Sequence, residues 1–171
     1  MSNIIIGTAG HIDHGKTALI KALNGFEGDS TNEEKQRGIT IDLSFSNMTK
    51  GQQNIAFIDV PGHEKLVKNM IAGAFGFDYV MLVVSAAEGI KPQTVEHIEI
   101  INLLGLKELI VVITKKDLIT NDELIIKKDE ILEFLANFDF EIKFVSCVSI
   151  YDETSIEKLK NQLFSIKNST K

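Results

Sequence analysis

The densest run of chemistry in this 171-residue chain is Gly10-x-x-x-x-Gly15-Lys16-Thr17. Glycines at both ends let the backbone curl until successive N–H groups face one point, and such a nest holds an anion. Lys16 can reach the β- and γ-phosphates of a nucleotide and, as a catalytic cation, offset the charge that develops there. The Thr17 hydroxyl can ligate Mg²⁺. Asp13, His14, Gly15, Lys16, Thr17 and Ala18 are therefore candidate nucleotide-binding positions. His11 and His14 resemble a metal pair only superficially; they read as loop filler, with His14 contributing its backbone N–H.

Four further pieces follow in order. Arg37-Gly-Ile-Thr40-Ile-Asp42 closes a long polar loop, and Thr40 can ligate Mg²⁺ when a γ-phosphate is present. Asp59-Val-Pro-Gly62-His63 ends an apolar run. Its carboxylate can hold Mg²⁺ through water, and Gly62 can offer an N–H to the γ-phosphate. Thr114-Lys115-Lys-Asp117 follows another apolar run. Asp117 can accept from guanine N1–H and N2–H₂, a donor pair adenine lacks, while the Lys115 stem can lie along the base. Val145-Ser146-Cys147 ends the last apolar run, and backbone N–H groups at Ser146 and Cys147 can meet guanine O6.

These residues need elements to hold them. Continuous or alternating apolar runs predict strands over residues 3–9, 40–49, 54–59, 79–85, 109–114 and 142–146. Helical spacing predicts helices over 16–24, 64–74, 93–104 and 122–138. A capping box, Thr154-Ser-Ile-Glu157, predicts the start of a last helix. Lys50-Gly51-Gln52 is a turn joining the second and third strands into a hairpin. The alternation that follows implies an α/β fold: a six-stranded, mostly parallel, doubly wound sheet with one antiparallel edge strand and helices on both faces. No repeat, linker or second domain interrupts it.

Bulk composition narrows the function classes. A formal net charge of −6 lacks the global basic footprint of an autonomous nucleic-acid binder. The single cysteine, Cys147, excludes an intrachain disulfide and speaks against structural zinc. The amino terminus has no charged n-region, and no apolar stretch reaches membrane-spanning length, which points to the cytoplasm and away from a membrane. His97, on a predicted helix, reads as structural or exposed.

The five pieces, in this order, resemble the translational GTPases along essentially the whole chain. Gly10-His-Ile-Asp-His-Gly-Lys-Thr17, Arg37-Gly-Ile-Thr40 and the Pro-Gly-His63 ending are characteristic of the elongation factor Tu branch. Within it, the compact segment from Gly25 to Asp42, with Glu33-Glu34-Lys35-x-Arg37-Gly-Ile-Thr-Ile-Asp42-Leu43, together with Asp59-Val-Pro-Gly-His63 and Thr114-Lys-x-Asp117, looks most like the selenocysteine-specific elongation factors. The resemblance implies a P-loop, Ras-like G domain that binds GTP or GDP with Mg²⁺ and hydrolyses GTP slowly without ribosomal activation. It implies that His63 is catalytic, orienting the attacking water, with Ile12 and Ile39 as an apolar gate. It implies the ribosome and selenocysteinyl-tRNA as partners of a longer factor, of which this monomeric domain is the amino-terminal part. Two departures matter: most GTPases carry Asn at position 114 and alanine at position 147. The alternatives are another translational GTPase, of the elongation factor Tu or initiation factor γ type, or a regulatory nucleotide-binding module that hydrolyses little. An ATP-dependent enzyme is a third, and Asp117 argues against it.

Overall fold

Apolar residues run unbroken from Tyr79 to Val84 and from Leu109 to Ile113, and the strands that carry them are buried on two sides. The computed structural model describes residues 2–11, 14–24, 44–59 and 77–166. Its strands are β1 (Ser2–Gly10), β2 (Ser44–Lys50), β3 (Gln53–Asp59), β4 (Tyr79–Ser85), β5 (Glu108–Thr114) and β6 (Glu141–Cys147). Its α-helices are α1 (Lys16–Asn24), α2 (Pro92–Leu103), α3 (Asn121–Leu135) and α4 (Glu153–Ser165). The expected helix over 64–74 and the expected strand residues 40–43 lie outside the described residues.

The sheet order is β2-β3-β1-β4-β5-β6. Every pairing is parallel except β2 with β3, a hairpin that turns at Gly51 (φ +61°) and leaves β2 on the edge. The period-2 alternation of side chains splits the core into two layers. Ile4, Ile6, Met81, Val83, Ile110 and Val112 face Leu19 and Leu23 of α1 and Leu159 and Leu163 of α4. Val80, Leu82, Val84, Val111 and Ile113 face Ile98 and Ile101 of α2 and Ile131 and Leu135 of α3. Each such side chain contributes about 1.5–3 kcal/mol relative to exposure, so the central strands are the rigid base from which the loops project.

The helix starts correct one expectation. Thr120-x-x-Glu123 is a true capping box: Glu123 N–H donates to Thr120 Oγ1 (3.1 Å) and Thr120 N–H donates to Glu123 Oε1 (3.0 Å). Thr154-x-x-Glu157 is not one. α4 begins at Glu153 with Asp152 as its N-cap residue, which puts Thr154 inside the first turn. The turn is set instead by Ser155, whose Oγ accepts from Ser149 N–H (3.1 Å).

The register brings the strand ends to one edge. Thr8 lies beside Asp59, Gly10 beside Val83, Ser85 beside Thr114 and Ile113 beside Cys147. The chain leaves β1 for the β3 side of the sheet and returns to β4 on the other side. Ligands of open α/β sheets bind outside the carboxyl ends of strands at such a reversal. Among the described residues, no helix is long and apolar enough to cross a membrane.

Candidate functional site

The glycine-rich loop leaves β1 at Gly10 with φ +133°, and a Cβ there would overlap the Val83 carbonyl oxygen of β4. Glycine is thus required at this position both by conformation and by space. Gly15 has φ +87° with nothing near its pro-Cβ direction, so there only conformation demands glycine. Leu19 N–H donates to the Gly15 carbonyl (2.8 Å), making Gly15 the last residue before α1. Lys16 is buried at the helix start, and Thr17 is exposed in the first turn. That turn carries no acidic residue, so the positive end of the helix dipole is not already neutralised. Asp13 and Ile12 lie outside the described residues.

Three long-range hydrogen bonds fix this loop, and two use imidazoles. His97 of α2 accepts the Gly10 N–H at Nδ1 (3.0 Å). His14 accepts the Ser85 N–H at Nδ1 (3.1 Å), tying the loop to the end of β4. The Thr114 hydroxyl donates to the His14 carbonyl (2.7 Å), tying the loop to the end of β5. An imidazole nitrogen that accepts must be unprotonated, so His14 carries its proton on Nε2, which faces Glu88 Oε2 at 3.2 Å. Burial, seconded by the neighbouring His11, lowers the His14 pKa to about 4, and Glu88 only partly opposes this. His14 is therefore far more than filler. His97 is structural and buried rather than exposed. Both roles depend on approaches across 71 and 87 residues of sequence, which local spacing does not signal.

The second half of the site follows β5. Thr114 is buried, and Lys115 adopts a left-handed conformation (φ 59°, ψ 33°) that only a few per cent of non-glycine residues show. It starts a 3₁₀ turn, Lys116–Leu118, that leaves Asp117 exposed. Such a backbone outlier is a functional pointer.

A cavity of about 230 Å³ joins the two halves. Its lining is Gly15 and Ala18 from the phosphate side, Thr114, Lys115, Asp117 and Leu118 after β5, and Ile150 and Tyr151 after β6. Two motifs 100 residues apart thus open onto one space. Ser146 and Cys147 do not line it. Ser146 is buried within β6 opposite Val112, and Cys147 is half-buried in the α2/α3 layer, where burial pushes its thiol pKa up. The strand continues one residue past its expected end at 146, so the chain clears the sheet only at residues 149–151. The missed residues are Ile150, Tyr151 and Leu118. Their signal was three bulky apolar side chains in polar turns. Thr40, Gly62, His63 and Ile39 lie outside the described residues. Asp59 ends β3 beside Thr8 of β1.

Comparison with known proteins agrees with this geometry. The model of the elongation factor Tu GTP binding domain matches residues 1–168. The chain is 45% identical over 166 residues to the selenocysteine-specific elongation factor of Desulfomicrobium baculatum, covering 96% of this chain and 26% of that one. It is 53% identical over 114 residues to the protein of the same name from Haemophilus influenzae, covering 67% of this chain and 18% of that one. A crystal structure of the bacterial selenocysteine-specific elongation factor EF-Sec superposes with a TM-score of 0.75 at 41% identity, covering 98% of this chain and 30% of that one. The chain thus spans about a quarter or less of the length of these curated relatives. With a glycine-rich loop and the turn after β5 opening on one cavity at the carboxyl edge of a doubly wound sheet, the chain belongs to the elongation factor Tu GTP-binding domain family.

Proposed function

We propose that this G domain holds Mg²⁺-GTP across the cavity and, as part of a longer factor, times the delivery of selenocysteinyl-tRNA to the ribosome. The observation that carries the nucleotide reading is the shared cavity of Gly15, Ala18, Thr114, Lys115 and Asp117. Asp117 accepts from the guanine edge, and Lys115 lies along the ring. The backbone contact to guanine O6 belongs to residues 149–151 rather than to Ser146 and Cys147. N–H groups of Asp13, His14, Gly15, Thr17 and Ala18 hold the α- and β-phosphates.

Thr17 at the start of α1, Thr40, and Asp59 at the end of β3 make an all-oxygen donor set, which suits Mg²⁺. When bound, the ion neutralises charge on the β- and γ-phosphate oxygens. Lys16 holds the same oxygens and stabilises the charge that builds on them as a water attacks the γ-phosphate in line. His63 orients that water, and Gly62 offers an N–H to the γ-phosphate. No arginine in the phosphate loop is placed as a finger, so full acceleration needs the ribosome. As part of a factor that works beside the ribosome, it acts in the cytoplasm.

Selenocysteinyl-tRNA is favoured over other cargo by the similarity to selenocysteine-specific factors across 96% of the chain. Two measurements test the proposal. GDP should bind the chain far more tightly than ADP; equal affinity would sink the guanine reading. In the full-length factor, His63→Ala should abolish ribosome-stimulated hydrolysis and leave GTP affinity intact. Equal protection of selenocysteinyl- and other aminoacyl-tRNAs by that factor would refute the cargo.

A further inference from the structure

His14 is fully buried, and one of its polar groups is left without a bond. Its N–H donates to the His11 carbonyl (3.0 Å), its carbonyl accepts from Thr114 (2.7 Å), and its Nδ1 accepts from Ser85 (3.1 Å). The Nε2 proton makes no hydrogen bond. Glu88 Oε2 is only 3.2 Å from that nitrogen, so direction fails there and not distance. A buried donor left unmet costs free energy, and such a group calls for an explanation.

Glu88 has a fixed backbone and a movable side chain. Gly89 N–H donates to the Ser85 carbonyl (2.8 Å), and the N–H groups of Ala87 and Glu88 donate to Ser85 Oγ (3.2 and 3.4 Å). The turn that carries Glu88 is therefore built on the same Ser85 whose N–H the imidazole accepts. The carboxylate itself is 40% exposed, and its other oxygen lies a loose 3.8 Å from Lys91 Nζ. Rotation about the Glu88 side-chain torsions brings Oε2 onto the N–H axis with no movement of the turn. On the nucleotide reading, the His14 N–H must leave the His11 carbonyl to face a phosphate. Ser85 and Thr114 anchor the residue on two sides, so that shift is a small rotation, and it re-aims the Nε2 proton beside Glu88.

We propose that Glu88 is a positioning residue for nucleotide binding: on loading, its carboxylate closes on the His14 Nε2 proton and locks the glycine-rich loop in the form that grips phosphate. This rests on the guanine-nucleotide reading above and adds to it a residue that none of the five sequence motifs contains. Glu88 acts through the imidazole and touches no phosphate. A carboxylate accepting from an N–H makes a charge-assisted bond, stronger than the neutral one between His14 and Ser85. The lock therefore contributes residence time.

Two readouts on the chain test this. Adding GDP to wild type should move the His14 Nε2–H proton downfield and slow its exchange with water, in imidazole ¹⁵N–¹H spectra assigned with His14→Gln. Glu88→Ala should abolish that change and raise the GDP dissociation rate about tenfold. Glu88→Gln, which keeps an acceptor, should restore most of the slow release. The sign separates the lock from a simple charge effect, because deleting a negative group near phosphates would by itself slow release. If GDP leaves the His14 proton unchanged in wild type, or if Glu88→Ala keeps the shift or releases GDP no faster, the positioning role is wrong while the guanine site stands. If wild type fails to bind GDP or prefers ADP, the guanine reading itself has failed.

Discussion

On the proposed nucleotide reading, the phosphate end and the base end of this site are made of opposite materials. At the phosphate end, Gly10, His14 and Lys16 are buried, and the loop is bonded to β4, β5 and α2 by groups that water does not reach. At the base end, Asp117, Leu118, Ile150 and Tyr151 are exposed, and an ion pair between partly solvated side chains ties the two loops. A cradle for a highly charged group gains from fixed dipoles in a low-dielectric setting. A slot for a flat ring gains from apolar faces that stay open for entry. The two ends should therefore respond differently to the same kind of insult.

The largest effect is expected at Gly10. Gly10→Ala forces a methyl into the Val83 carbonyl at a left-handed φ, a combined overlap and strain of roughly 3–5 kcal/mol. Gly15→Ala carries only the conformational part, about 1–2 kcal/mol. Chemical denaturation should separate the two variants widely. Equal losses would mean that the loop moves freely relative to β4.

Protonation should also strike the phosphate end first. The His14 pKa falls from 6.5 to about 4 on folding. A base with a lowered folded pKa takes up protons more readily when unfolded, so stability is full above about pH 6.5 and falls steadily toward about pH 4. The total loss is on the order of 3 kcal/mol, at about 1.4 kcal/mol per pKa unit. Glu123, Asp139 and Asp152 have lowered carboxyl pKa values, so their losses begin only at their ordinary values of 4.5 or 3.8, at the foot of the His14 window or beneath it. His14→Gln, which keeps an acceptor for the Ser85 N–H, should flatten the urea-denaturation profile between pH 6.5 and 4. An unchanged slope would show that His14 is not the group responsible.

The same contrast explains what the sequence discloses. Gly10, Lys16 and Asp117 are legible because one residue type at one spacing has one chemical use, and the turn from strand to helix supplies the context. The mostly parallel sheet and its antiparallel edge are legible because β4 and β5 are apolar between their end residues and the hairpin is polar at its turn. Tyr151 is not legible, because its placement depends on where β6 releases the chain. Ending the strand at 146 rather than 147 is enough to assign the base contact to Ser146 and Cys147. The two Thr-x-x-Glu patterns make the same point. At 120–123 nothing competes with the box. At 154–157 the chain has already turned at Asp152, and Ser155 is engaged by Ser149. Residue type proposes such contacts, and long-range packing chooses among them.

Thr114 sits where the two ends meet. Its hydroxyl supplies the bond to the His14 carbonyl that an asparagine amide could also make, so the departure from asparagine keeps the link to the phosphate loop. Thr114→Val retains shape and removes the donor, leaving a buried carbonyl without it. The expected cost is about 1–2 kcal/mol of stability, with Thr114→Ser restoring most of it. A Val variant as stable as wild type would place the coupling of the two ends elsewhere.

The smallest effect belongs to the base end. Lys116 and Asp152 are 30% and 43% exposed, and pairs of that kind contribute at most about 1 kcal/mol. Lys116→Ala should therefore barely change global stability. It should instead loosen the loop that carries Tyr151, raising the GDP dissociation rate by less than about fivefold, with the difference fading in high salt. A double-mutant cycle with Asp152→Ala isolates the pair, since removing either partner alone should have the effect of removing both. If the two substitutions add instead, the loops are held by the Lys116 backbone bond to Val148, and the base slot is stiffer than its exposed side chains suggest.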